Sequence, residues 1–388
     1  MFLLSDFDIV LVSTLGFFFL IQLIYYLFLY GKIHGRIKAL KKNKIQFETE
    51  FKPLSVVVYA RNESTNLRKN LPLIMEQDYP EFEVVVVSEG FTEESEDVLA
   101  YMERTYPHFY HTFIPEGSRS ISREKLALTM GIKASKYDWI VLTEPDCYPA
   151  GKNWLKLMAR NFTADTEIVL GYSGYEQKKG WRFRKISFDN FFKSIRYLSF
   201  ALARKPYMGI GRNMAYHKEL FFKNKGFSNH LNLKRGEDDL FINQIATSKN
   251  TRVETDKEAK VWIQPVEYYK IWKEEKVNYI VTSRLFKGVQ RYLLSFETMS
   301  KLLFYLLCII IIVKAALASH WFLLGIAVLV YILRFIFQAL IINKAAGDLN
   351  EQKSYLTLPV FDLLLPFYSL RFKLLYRFRQ KSEFRTKC

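Results

Sequence analysis

Cysteine is scarce, with three in 388 residues, at positions 147, 308 and 388. They are too far apart to read as a disulfide framework. The six histidines show no H-x-x-x-H or comparable spacing, which argues against an all-protein zinc site. Acid is in deficit: 39 Asp and Glu against 56 Lys and Arg leave a formal net charge of +17. No zinc-finger spacing or other nucleic-acid signature accompanies that charge, and the basic residues cluster beside apolar runs, so nucleic acid is set aside as a partner. The lead before the first apolar run has no basic residue, and no small-residue cut site follows it. A cleaved signal peptide is therefore not expected.

In excess is apolar surface: half of the chain is hydrophobic and 16% is aromatic. Together with the positive charge this suggests a membrane protein whose basic residues face an anionic cytoplasmic leaflet. Residues 9–30 are long and apolar enough to span a bilayer. Lys32, Arg36, Lys38, Lys41, Lys42 and Lys44 follow, which puts the N-terminus outside and residue 32 onward in the cytoplasm. Residues 302–318 and 321–342 read as two further spans, joined by a tight outer hairpin at Ser319-His320. Lys314 lies near an end and is expected to snorkel. Arg334 is mid-span and expensive unless paired, and Asp362 is the expected partner. Residues 355–368, with Asp362 and two prolines, are too short to span comfortably and read as re-entrant or interfacial. The tail carries Arg371, Lys373, Arg377, Arg379, Lys381, Arg385 and Lys387 against Glu383, so it is expected at anionic lipid headgroups inside.

Between the spans lies a soluble α/β domain. The expected organisation is an anchor at 1–31, a basic linker at 32–52, the domain at 53–292, a two-helix membrane hairpin at 293–344, and the interfacial segment with its tail at 345–388. Strands are read at 54–60, at 82–87 and at the apolar run from Trp139, with helices at 65–77, 94–104 and 122–136. Alternation of this kind implies a mostly parallel sheet whose strand C-termini share one edge, and ligands bind at such edges. Ser88, Glu89, Glu144 and Asp146 would meet there. Glu144 and Asp146 flank Pro145 and could face one site, where carboxylates take a hard divalent cation such as Mg²⁺. An E-x-D sequence is also what a solvated acidic turn looks like.

Further on, Gly209 and Gly211 suggest close backbone approach. Glu237, Asp238 and Asp239 follow Gly236 and lead into an apolar helix. Acids there favour the helix dipole, or one of them is a general base. Residues 268–292 read as a basic, aromatic helix on the membrane surface. Trp181, Phe183 and the aromatics of 188–200 suit core packing or stacking on a sugar or lipid. Arg204 and Arg212 suit phosphates or plain surface charge. The sequons at Asn62 and Asn161 are discounted, because the domain is expected inside the cell.

Six segments, in order, resemble the motifs of membrane-anchored family-two glycosyltransferases, over roughly residues 53–290. The opening strand ends in Ala60-Arg61-Asn62-Glu63, the family's A-R-N-E turn. Ser88-Glu89-Gly90 stands at the D-D-G turn. Arg123-Glu124-Lys125-Leu126-Ala127-Leu128 resembles the G-K-x-x-A-L helix. Glu144-Pro145-Asp146 stands at D-x-D, Gly211-Arg212-Asn213-Met214-Ala215-Tyr216 at G-x-x-M-A-Y, and Gly236-Glu237-Asp238 at the E-D motif. The resemblance implies an inverting transferase of GT-A fold, a Rossmann-like, mostly parallel α/β domain that uses a nucleotide-diphosphate sugar. It implies that Ala60, Arg61, Asn62, Glu63 and Met214 line the donor site and that Glu89 meets the base or ribose. Lys125 would neighbour the nucleotide. Asp146, with Glu144 nearby, would hold Mg²⁺ or Mn²⁺, and Asp238, with Glu237 beside it, would be the general base.

The departures are informative. Ser88 and Glu144 replace aspartates. Where processive members carry Q-x-x-R-W, this chain has Glu275, Asn278 and Tyr279 on the acceptor side, which disfavours polymer synthesis. The expectation is single-sugar transfer to a lipid-linked or other membrane-proximal acceptor, in envelope polysaccharide or glycolipid assembly at a bacterial inner membrane. A processive synthase and a non-catalytic scaffold of the same fold are the alternatives.

Overall fold

The computed structural model describes residues 4–90, 92–114, 122–265, 269–378 and 384. Among the described residues ten strands form two sheets. They are β1 (Leu54–Arg61), β2 (Phe82–Glu89), β3 (Phe109–Phe113), β4 (Trp139–Thr143), β5 (Cys147–Pro149), β6 (Ile168–Leu170), β7 (Ser173–Tyr175), β8 (Met214–His217), β9 (Thr251–Val253) and β10 (Val261–Ile263). The larger sheet has the order β3-β2-β1-β4-β8-β6-β9, and the smaller has the order β5-β10-β7. β3, β2, β1 and β4 are parallel, as the alternation of strand and helix requires. β8 runs antiparallel to both β4 and β6, because the chain reaches it after a long excursion through the small sheet and the helix Trp181–Leu202.

Unbroken valine runs make β1 and β2 central strands, since such runs suit burial on both faces. Val57, Val85 and Val87 enter one core, while Val56, Val58, Val84 and Val86 enter the other. The helix Arg123–Ala134 packs on the first face through Gly131, where a Cβ would fall 2.6 Å from Val57 Cγ1. That core continues without a break into Tyr26, Tyr30, Ile33 and Ile342 of the membrane helices and Phe361 of the helix Leu358–Phe378.

Among the described residues three helical runs are long and apolar enough to cross a membrane: Asp6–Lys41, Gln290–Leu317 and Trp321–Asp348. The first passes through a π-helical turn, Tyr25–Tyr30, and continues to Lys41, into the stretch read as a linker. Lys314 pairs with Asp8 at 2.6 Å instead of snorkelling alone. Arg334 does meet Asp362, at 2.9 Å, and Lys301 reaches the other oxygen of the same carboxylate at 2.6 Å. These bonds dock a helix, Leu358–Phe378, that runs well past the short apolar segment read from sequence. Of the tail's basic residues, Arg379 and those beyond it lie outside the described residues. Near the domain, Glu297 accepts from Arg196 at 2.8 Å and from the Tyr30 hydroxyl at 2.6 Å.

The stretch read as one surface helix, 268–292, is two pieces among the described residues. The helix Tyr269–Ser283 buries Trp272, Val277 and Ile280, and a turn through Gly288 precedes the next helix. Its inner face belongs to the domain core, so it is not simply laid on a membrane.

Candidate active site

Parallel register sets the strand ends level: Arg61 lies opposite Glu89, and Val58 opposite Thr143. After Thr143 the chain turns at Pro145, which has no N–H for the ladder. The Asn70 amide donates to the Pro145 carbonyl at 2.8 Å, and the Gln264 N–H donates to the Asp146 carbonyl at 2.9 Å. So held, the turn presents Glu144 and Asp146 to a cleft of about 820 Å³ at the sheet's C-terminal edge.

Donor atoms of Glu144, Asp146 and Cys147 lie within 4.8 Å of one another. Burial, followed by the charges of Asp146 and Glu144, pushes the Cys147 thiol well above its ordinary range. Its S–H donates to the Asp146 carboxylate at 3.2 Å, and sulfur is in any case a soft ligand, poorly suited to a hard cation. Two carboxylates remain, the donor set that Mg²⁺ or Mn²⁺ takes through oxygen. Arg212, 8% exposed, spans the cleft wall: its Nε donates to Glu144 at 2.8 Å and its Nη2 donates to Glu275 at 3.0 Å.

On another wall, Gly236 takes φ +110°, a conformation that favours glycine, and turns the chain into the acidic run. Asp238 caps the helix Asp239–Ile245, accepting the Asp239 N–H at 2.6 Å and the Gly211 N–H at 3.2 Å. It remains partly open to the cleft. Asp239 is buried and accepts from the Thr282 hydroxyl. Glu237 is buried 3.6 Å from Arg235, and its Oε2 has no partner. Burial raises the pKa of Glu237. Glu275, Asn278 and Tyr279 share one face of Tyr269–Ser283 and line the cleft from a third side.

Several expected residues do not face the cleft. Lys125 is fully buried, and its ammonium donates to the carbonyls of His230, Leu233 and Arg235 at 2.6, 2.8 and 3.0 Å. It pins the loop before Gly236 and has no proton to spare for a nucleotide. Glu89 is enclosed by Tyr59, Arg61 and Arg123, which occupy both of its oxygens. Tyr59, Arg61 and Arg123 line the cleft in its place. Met214 is wholly buried on β8, paired with Leu142 and Leu170 behind the site, and Met208 and Ile210 line it instead. Ala60 is a core residue, and Asn62 is exposed on the turn at φ +53°. Glu63 does line the cleft. Burial raises its pKa, and the nearby charge of Asp146 adds to the rise. Arg212, read from sequence as surface charge or a phosphate contact, proves to be central. Arg235 was not singled out; its one sequence signal is its position directly before Gly236.

Residues 55–223 match the family model for glycosyl transferase family 2. No curated protein sequence matches the chain. Among solved structures, the fold is similar to that of the mannosyltransferase PcManGT from Pyrobaculum calidifontis, in complex with GDP-Man and Mn²⁺. Identity is 17% and the TM-score 0.54, over 89% of this chain and 99% of that one. Residues 1–349 of S. aureus TarS, in complex with UDP-GlcNAc, also match at 17% identity and a TM-score of 0.41, over 60% of this chain and 66% of that one. At such identities the likeness is one of fold, and the lower score carries no argument.

Proposed function

We propose that the chain is a family-two glycosyltransferase, on the match of residues 55–223 to that family's model and on its GT-A fold, and that it moves one sugar, with inversion, from a nucleotide-diphosphate donor to a membrane-anchored acceptor. The acceptor is lipid-linked, and the reaction belongs to envelope polysaccharide or glycolipid assembly on the cytoplasmic side of a bacterial inner membrane. The observation that carries this reading is one cleft, large enough for a nucleotide sugar, that collects Glu144, Asp146 and Asp238 beside Glu275, Asn278 and Tyr279.

In this reading Asp146, with Glu144 beside it, would hold Mg²⁺ or Mn²⁺, which would supply positive charge against the departing diphosphate. Arg212 and Arg235 add fixed positive charge at the same end. The acceptor hydroxyl is a weak nucleophile. Asp238, oriented by the Gly211 and Asp239 amides, takes its proton during attack on the anomeric carbon, opposite the leaving group. Without the Q-x-x-R-W grip on a growing end, the product leaves after one addition.

A thermal-shift panel tests the reading. Detergent-solubilised protein is heated with several nucleoside diphosphates and nucleotide sugars, with and without Mn²⁺, beside Asp146→Ala. One nucleotide should raise the midpoint only with metal, and Asp146→Ala should abolish the rise. A cooperative melt that no nucleotide shifts overturns the proposal in favour of a non-catalytic scaffold.

A further inference from the structure

The helix Trp181–Leu202 carries Asp189, Lys193 and Arg196 at spacings of four and three, which puts them on one face. The outer two are fixed. Asp189 accepts from Lys276 at 2.5 Å and from the Trp272 indole at 3.1 Å. Arg196 is bound to Glu297, where the second spanning helix begins. Lys193 stands between them, half-buried in the cleft wall. Among the described residues no carboxylate lies within ion-pair distance of it, whereas Arg61, Arg123, Arg212 and Arg235 of the same cleft each have a glutamate. Lys234 also lacks such a partner, but it is exposed to solvent.

The principal charges around Lys193 are Lys276, Glu275, Arg212 and Asp189. These four are already matched with one another or with Glu144: Lys276 with Asp189, and Arg212 with Glu275 and Glu144. The ring centroid of Tyr279 lies 5.8 Å from its ammonium. Burial, and then the like charge of Lys276, lower its pKa. A half-desolvated ammonium in this position is stabilised when an anion joins it.

We infer that Lys193 binds a phosphate group carried by the acceptor at the membrane-side end of the cleft. The inference rests on the transferase reading for the name "acceptor", and on the structure alone for the anion. A phosphate there has two sources, the acceptor or the donor diphosphate. The acceptor is favoured because Arg196, three residues and about 4.5 Å of helix rise further on, is bonded to the membrane helices. That is the level at which a lipid phosphate lies.

Full-length protein in dodecyl maltoside micelles, titrated with tetradecyl phosphate and with tetradecanol, tests this. GDP and UDP, each with Mn²⁺, are titrated in parallel. Wild type should bind the phosphate at least about tenfold more tightly than the alcohol, the factor of a single charge-assisted contact. Lys193→Gln should lose most of that preference and Lys193→Arg should keep it. Lys249→Gln, an exposed lysine outside the cleft, should match wild type. Nucleotide affinity should stay within about twofold in all four proteins. The inference is overturned if the phosphate shows no preference, or if the 193 and 249 variants lose it equally, which would be diffuse attraction to a basic protein. Loss of nucleotide affinity in Lys193→Gln with lipid-phosphate binding intact overturns it too, by assigning the anion to the donor. If wild type binds no nucleotide, the transferase reading fails, and the lipid titration still decides whether Lys193 is the anion's ligand.

Discussion

Three carbonyls converge on the ammonium of Lys125, and a single side chain thereby sets the path of the loop that leads to the acidic run. Lys125→Met would leave those carbonyls buried and unpaired, at about 1–3 kcal/mol for each one that water cannot reach. The expected result is a melting midpoint several degrees lower, with nucleotide affinity of the folded fraction preserved; an unchanged midpoint would contradict the pinning role. His230, in the same loop, is buried, and desolvation and then the Lys125 charge push its pKa down to about 4. Unfolded, it titrates near 6.5, so the unfolded state binds more protons between those values. Its contribution is therefore fully present above about pH 6.5 and is lost as pH falls toward about 4. A chemical-denaturation series over that range should lose about 2 kcal/mol after screening is discounted. His230→Gln should flatten the slope. At the acidic run itself, Asp238→Asn should cut turnover at least about a hundredfold and leave nucleotide binding intact. Glu237→Gln should cost less than about tenfold. The reverse order would transfer the base to Glu237, whose free Oε2 is the feature that makes it the competitor.

Elements differ in how plainly they can be read. β1, β2 and β4 were legible because they are unbroken apolar runs, and the E-P-D turn was legible because proline must end a central strand. β6, β7, β9 and β10 have three residues each, too few for a period to show. Motif order put Lys125 on its helix, read Glu89 as part of a turn where it ends β2, and gave Met214 no element, and it could not tell which way each side chain points: inward to carbonyls, sideways to arginines, or back into the core. Arg212 was ambiguous for the opposite reason, since its two glutamates lie 68 and 63 residues away in sequence. The Arg334–Asp362 pair was foreseeable because a lone mid-span cation demands a partner. Its strength can be tested by a double-mutant cycle of Arg334→Leu and Asp362→Leu, read as the unfolding free energy in detergent. Each single change should cost about 3–5 kcal/mol and the double much less than their sum. Asp362→Leu should be the worse single change because it strands Lys301 as well. Additivity would mean the two charges are not coupled.

On the scale of the whole molecule, the expected topology, with the N-terminus outside and the domain inside, is one that thiol labelling checks. In a Cys388→Ser background, where Cys147 and Cys308 are buried, Ser319→Cys should react with an impermeant maleimide on intact cells. Glu94→Cys, on the exposed face of a domain helix, should react only after permeabilisation. The opposite pattern would invert the protein in its membrane. Glu297 bears on a different property. It is bonded to the domain through Arg196 and to the first membrane helix through Tyr30, and it sits inside a core that runs unbroken from one region into the other. Calorimetry on the full chain should accordingly record one endotherm, not a soft domain followed by a resistant bundle. A fragment trimmed to the soluble half would be a damaged protein, with a guanidinium and an apolar face laid open where the bundle had been.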